Sequence, residues 1–256
     1  MFRYFKKWYH FLRAQTLISL GAFCREHILG ISLIIAPHPD DETFGCGMLI
    51  AKLSKKKIPF IVVIVSDGDA SHAQCGRKHV LREISTQRKL DALKALEKLG
   101  CPNENVVFLD FPDGSLERME GEVERYVDEI INRFNSQNNE GIAQIFVPSS
   151  FDAWEDHLAV TNIGMILGKK HKISVYYYCT WMYMYAPCQV IKSILVGDVT
   201  CINDKNYFLK KKQAIQHYLS SIACCGMPYI GLLPDFFLKF TRAHRELFFK
   251  GMVYED

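Results

Sequence analysis

Nowhere in the 256 residues do two cysteines stand in Cys-x-x-Cys spacing, although the chain holds nine, at positions 24, 46, 75, 101, 179, 188, 201, 224 and 225. An odd, scattered set in a chain of this length argues against a disulfide framework, and fits a reducing compartment and small buried side chains. Long basic runs, RNA-binding signatures and Cys/His finger spacings are missing too. With a net charge of only +3, composition gives no ground for a nucleic-acid partner. No internal repeat and no flexible linker interrupts the sequence, so residues 31–256 are expected to form one domain. The hydrophobic fraction of 49% and charged fraction of 23% are those of an ordinary globular chain with a sizeable core.

Residues 1–30 read as an extension of different character. Arg3, Lys6, Lys7 and Arg13 alternate with Phe2, Tyr4, Phe5, Trp8, Tyr9, Phe11 and Leu12. The apolar stretch from Thr16 to Cys24 is too short to span a bilayer and lacks a small-residue cleavage site. A basic, aromatic-rich helix over residues 1–24 can lie on an anionic membrane surface, or pack on the domain as an amphipathic helix. Both readings stand at this level. The expected location is the cytoplasm, with residues 1–24 as the candidate peripheral membrane contact.

From residue 31 onward, apolar runs alternate with helical patterns. Ile31–Ala36 and Ile58–Val65 read as buried strands, and residues 80–99 as a helix stopped by Gly100. Val106–Leu109 reads as a strand, residues 119–134 as a helix and Ala143–Val147 as a strand. A helix over Asp156–Leu167 and a strand over Ile173–Tyr178 complete the series. This alternation predicts an α/β fold with a mostly parallel central sheet covered on both faces.

The most informative segment is Ala36-Pro-His-Pro-Asp-Asp-Glu42. It follows the first strand and precedes a helical stretch at Met48–Leu53, which puts it at the carboxyl end of a strand, where open α/β sheets bind ligands. Three consecutive carboxylates beside an imidazole repel one another unless a cation or protons compensate them. Zinc is the simplest cation that takes imidazole nitrogen and carboxylate oxygen at one site. Acids before a helix also serve as caps, so a second element is needed. It comes after the fourth strand, in Val147-Pro-Ser-Ser-Phe-Asp-Ala-Trp-Glu-Asp-His157. His38, Asp41 and His157 would give two imidazoles and one carboxylate, leaving Asp40 free as a general base. Read by itself, Asp156 is a helix cap and His157 a surface residue.

These segments, in order, resemble the LmbE-like, or PIG-L, zinc-dependent N-deacetylases. His38-Pro-Asp-Asp-Glu42 looks like that family's signature, and Val65-Ser-Asp-Gly-Asp-Ala-Ser-His72 is similar to its second strand and turn. Arg88-x-x-Asp91 with Leu99-Gly100, and Phe108-Leu-Asp-Phe-Pro-Asp-Gly-Ser-Leu116, resemble two further segments. Asp156-His157 matches the pair that closes its metal site, and Lys211 to Tyr218 shows a fainter similarity. The resemblance implies a Rossmann-like three-layer sandwich that removes acetyl from an N-acetylated amino sugar, commonly an N-acetylglucosamine conjugate. It assigns zinc to His38, Asp41 and His157, and the base to Asp40.

One position departs from the pattern. Trp154 stands where the family has a histidine thought to stabilise the oxyanion, and losing such a donor can cost about 10²–10³ in rate. His72, Tyr183 or Tyr185 would have to replace it, or Trp154 stacks on a sugar face or fills the core. The departure motivates a rival: a non-catalytic or weakly active relative that binds a glycan. An esterase or amidase acting on a non-sugar acyl group is a second rival. Arg88, Asp69 and Asp113 are the remaining candidates for substrate contact, each with an ordinary alternative as ion-pair partner or turn former. The aromatic run Tyr176–Tyr178 through Trp181 reads as strand and core packing, with a sugar-binding wall as the alternative.

Overall fold

The computed structural model describes residues 30–75, 78–182, 199–241 and 243–252, together with Leu12 and Thr16. Apart from those two, residues 1–24 lie outside the described residues, as do Tyr183 and Tyr185. The elements are β1 (Ser32–Ala36), α1 (Asp41–Lys56), β2 (Phe60–Ser66), α2 (Lys78–Leu99), β3 (Val106–Phe111), α3 (Glu120–Gln137), β4 (Gln144–Pro148) and α4 (Glu155–His171). They continue with β5 (Ser174–Tyr178), β6 (Val199–Ile202), α5 (Lys205–Ser220), α6 (Asp235–Thr241) and β7 (Glu246–Met252). A 3₁₀ segment, Asp69–Cys75, leads from β2 toward α2.

The seven strands among the described residues join one sheet in the order β3-β2-β1-β4-β5-β7-β6. Strands β1 to β5 are parallel, with Ile34 paired to Val62 on one side and to Phe146 on the other. β7 runs antiparallel to both β5 and β6. The chain grows outward from β1 to β2 and β3, then returns to add β4 on β1's other side. Between β1 and β4 the winding reverses, and such a switch point opens a crevice at the strands' carboxyl ends.

Period-two alternation divides the core between two helical layers. Ile34 and Ala36 pack with α1, α2 and α5, through Met48, Leu96, Ala214 and Tyr218. Leu33 and Ile35 pack with α3 and α4, through Val127, Ile131, Val160 and Ile163. The three-layer α/β arrangement read from the sequence is therefore present.

Helix α1 begins at Asp41, seven residues before the expected Met48. Its first turn hid from the sequence because Gly45 and Gly47 interrupt the helical pattern. Packing explains both: a Cβ at Gly45 would overlap the ring of Tyr178, and one at Gly47 would lie 2.8 Å from Lys211 Cγ. Lys211, on α5, is buried there and donates to Phe44 O at 2.7 Å and to Glu246 Oε1 at 2.6 Å. Glu246, on β7, accepts the N–H groups of Met48 and Leu49, each at 2.8 Å. A buried ion pair thus enters the polar ladder of α1 and links it to two elements from the last fifth of the chain. Left-handed residues terminate α1 at Lys57 (φ 55°) and α4 at Lys172 (φ 56°), as such caps commonly do.

Candidate active site

The Pro37–Asp40 turn leaves β1 at the switch point and runs into α1. Asp40 holds φ 152°, a conformation that side chains other than glycine rarely adopt. Glu42, fully buried, accepts the Asp40 N–H at 2.9 Å, the Thr43 hydroxyl at 2.6 Å and the Tyr218 hydroxyl. The third acid of the signature therefore braces the turn from behind. Burial raises the Glu42 carboxyl despite these donors.

Two imidazoles converge on one carboxylate. His38 Nδ1 lies 3.1 Å, and His157 Nε2 3.3 Å, from Asp41 Oδ2. The rings are 5.4 Å apart. Each second nitrogen is held from outside: His157 Nδ1 lies 2.9 Å from Asp152 Oδ2, which also accepts from Thr180 Oγ1 at 2.7 Å. His38 Nε2 lies 3.1 Å from Asp113 Oδ1 and 3.3 Å from Asp156 Oδ2. One nitrogen inward and the other fixed by a carboxylate is how proteins orient histidine metal ligands.

One donor atom from each of His38, Asp41 and His157 lies within 4.8 Å of the others, and His38, Asp113 and Asp156 meet the same test. The second trio is the outer support. Asp156 Oδ1 and Oδ2 are occupied by the Leu116 N–H at 3.0 Å and the Gly114 N–H at 2.8 Å, and Asp113 Oδ2 accepts from the Ala70 N–H at 3.1 Å. Two imidazoles and a carboxylate, each turned inward, suit a zinc ion with an open position. Asp156 does not cap α4; it ties the start of that helix to the turn after β3.

The electrostatics point the same way. Burial opposes charge on both imidazoles, but the surrounding carboxylates outweigh it, lifting His157 to about 9 and His38 well above its usual range. Burial also works against ionisation of Asp41, yet the two imidazoles hold its carboxyl far below normal. Asp40 behaves oppositely. Burial pushes it up to about 7 against the pull of the Arg88 guanidinium, whose Nη2 lies 3.3 Å from Asp40 Oδ1. A carboxyl poised near neutrality suits a group that takes a proton and returns it.

These residues line a pocket of about 340 Å³ that also takes in Ala70, Ser71, Arg88, Asp113 and Trp154. Arg88 is buried and donates to Gly68 O at 2.6 Å and Pro39 O at 3.1 Å, so it holds the two turns together as well as Asp40. Asp69 is not among the lining residues; it opens the 3₁₀ segment whose next two residues are. His72 is buried with Nδ1 3.0 Å from Ser71 Oγ and does not line the pocket. Trp154 is 51% exposed and stands at the lining, its ring 5.6 Å from Trp181, so it does not fill the core. Tyr176 and Tyr178 do pack in the core.

A family model described as PIG-L, GlcNAc-PI de-N-acetylase, matches residues 33–167. The chain belongs to this family. Among curated proteins, the Escherichia coli (strain K12) "uncharacterized deacetylase YaiS" is 27% identical over 134 residues, which is 52% of this chain and 65% of that protein. A deacetylase–teicoplanin complex from teicoplanin biosynthesis superposes with a TM-score of 0.62 at 16% identity, covering 88% of this chain and 98% of that one. The N,N'-diacetylchitobiose deacetylase of Pyrococcus horikoshii gives 0.55 at 19% identity, covering 76% and 71%. At such identities the two superpositions speak for the fold.

The PIG-L segment supplies His38, Asp40, Asp41, Arg88, Asp113 and His157, but part of the pocket comes from elsewhere. Trp181, Ile230, Gly231, Leu232, Leu233 and Phe237 lie beyond the matched residues, as do Thr180, Tyr218 and Glu246. The sequence carried no signal for Asp152 as the partner of His157. An acid five residues before a histidine is equally a turn former, and only the fold of the β4–α4 turn brings the two together.

Proposed function

We propose that this PIG-L protein is a hydrolytic N-deacetylase that removes the acetyl group from an N-acetylated amino sugar held in a conjugate, using a zinc ion. The observation that carries this is the convergence of His38, Asp41 and His157 beside an unligated Asp40 in one pocket. The two imidazoles and Asp41 are the ligand set. When bound, the ion supplies Lewis acidity toward the amide carbonyl and the attacking water.

Asp40 takes the proton of that water as its oxygen adds to the acetyl carbon. It returns the proton to the sugar nitrogen as the C–N bond breaks, giving acetate and a free amine. Arg88 steadies Asp40 through the 3.3 Å contact, and Glu42 fixes the backbone that aims it. The names of relatives as deacetylases, including one for diacetylchitobiose, support the reaction class and the sugar. A binding module without turnover is not favoured, because the base position and the ligand trio are both intact.

Asp40→Asn tests the reading, since the amide keeps the shape and cannot accept the proton. With zinc retained, acetate release from N-acetylglucosamine conjugates is expected to fall about 10²–10⁴-fold. Near-normal release would remove Asp40 as the base.

A further inference from the structure

The pocket is chemically two-sided. His38, Asp40, Asp41, Arg88, Asp113 and His157 give it polar lining, while Trp154, Trp181, Ile230, Leu232, Leu233 and Phe237 give it apolar lining. The apolar part is continuous and anchored. Trp154 packs on Trp181 at 5.6 Å, Trp181 on Phe237 at 4.4 Å, and Phe237 edge-on to Phe44 of α1 at 5.2 Å. The loop before α6 turns at Gly231 (φ 82°), and the Ser71 hydroxyl holds it through Tyr229 O at 2.9 Å.

A single exposed leucine needs no explanation. Here Leu232, at 75% the most exposed large hydrophobic side chain among the described residues, and Trp154, at 51%, belong to the lining of one pocket. A contiguous apolar rim beside a polar site marks a ligand surface. A free amino sugar offers such a surface hydroxyl groups and one ring face. Hydrocarbon to cover Leu232, Leu233 and Trp154 has to come from what the sugar is attached to.

We infer that the substrate is an N-acetylated amino sugar carrying an apolar aglycone, which lies along Trp154, Trp181 and Phe237 and under the Ile230–Leu233 loop. The inference rests on the deacetylase reading for the sugar half, and it adds the chemistry of the other half. The wall binds ground state and transition state alike, so it acts through KM.

The test compares methyl and octyl glycosides of N-acetylglucosamine, both anomers, below the micelle-forming concentration of the octyl compound. Each methylene buried is worth about fourfold, so kcat/KM for the better octyl anomer should exceed that of its methyl counterpart by about tenfold or more, through KM. In Leu232→Ser that ratio should shrink at least about threefold. Equal kcat/KM for the two glycosides overturns the aglycone inference and leaves the deacetylase reading standing. Acetate release from neither glycoside sinks the deacetylase reading instead, and binding then decides the wall. Titration of Asp40→Asn, followed by the fluorescence of Trp154 and Trp181, should show the octyl glycoside bound about tenfold or more tightly than the methyl one. Equal binding, or no binding, overturns the inference by that route.

Discussion

At the scale of single residues, the two imidazoles are the most direct targets. His38→Ala and His157→Ala each remove a nitrogen from the trio around Asp41 Oδ2, and zinc in the purified protein should fall from about one ion per chain to well below that. Metal analysis with both variants still loaded would remove the trio as ligands. Asp152 gives a subtler check, because it meets His157 only at the nitrogen turned away from the pocket. Asp152→Asn should weaken zinc roughly 10–100-fold, the usual loss when such a support is cut. Competition against a calibrated chelator measures it, and unchanged affinity would mean that the support is idle. Trp154→His restores the family's usual residue at a half-exposed position. Melting should shift little, since exposed substitutions usually change stability by within about 0.5 kcal/mol. Turnover on a small N-acetyl sugar should rise if the new imidazole reaches the oxyanion. A flat rate with zinc retained would show that position 154 makes no such contact.

At the scale of elements, α1 begins with Asp41, the proposed ligand, directly after Asp40, the proposed base, and its polar ladder is entered by Lys211 of α5 and Glu246 of β7. Both side chains are buried. Removing one member of such a pair strands the other without compensation, at a cost of roughly 3–5 kcal/mol. Lys211→Met should therefore lower unfolding stability by that amount in urea titration. Lys211→Met combined with Glu246→Gln should recover a good part of it, because no naked charge is left behind. A double variant as unstable as the sum of the singles would deny the coupling. Close packing also explains why the start of this helix is hidden in the sequence. Glycine at 45 and 47 lowers helix propensity, and the reason for it lies on Tyr178 and Lys211, which are remote in sequence.

At the scale of the whole molecule, the PIG-L segment ends at residue 167 while its support does not. Tyr178, Lys211, Tyr218, Phe248 and Glu246 all pack against or bond to α1 or β1 from beyond that point. A chain cut to residues 30–172 keeps His38, Asp40, Asp41 and His157, yet loses half of one helical layer and three strands of the sheet, β5, β6 and β7. It should lack cooperative melting and near-UV circular dichroism, and should bind a hydrophobic dye. A sharp thermal transition for the fragment would show that residues 33–167 are self-sufficient. No helix among the described residues is long and apolar enough to cross a membrane. Cys46, Cys101, Cys179, Cys201, Cys224 and Cys225 are free thiols, in keeping with the scattered spacing of cysteines in the sequence.

The sequence by itself determined the parallel α/β core, because buried strands read as unbroken apolar runs and the helices between them keep a 3.6-residue period. It also brought out His38, Asp40, Asp41 and His157, since consecutive acids next to a histidine after a buried strand have few structural uses. What it could not hold was anything made by contact between distant segments. Asp113, expected to meet a substrate, does line the pocket, but its contacts with His38 Nε2 and the Ala70 N–H come from segments that the sequence does not show to be neighbours. Asp156, expected as a helix cap when read alone, faces His38 and the turn after β3. β6, β7, α5 and α6 carried no clear pattern, and β7 runs antiparallel to its neighbours. Whether Trp154 would lie in the core or at the rim depended on Trp181 and the Ile230–Leu233 loop, which reach it only once the sheet is assembled. Periodicity records which face of an element is apolar; which partner covers that face, and what is left uncovered, is set by the packing of the whole chain.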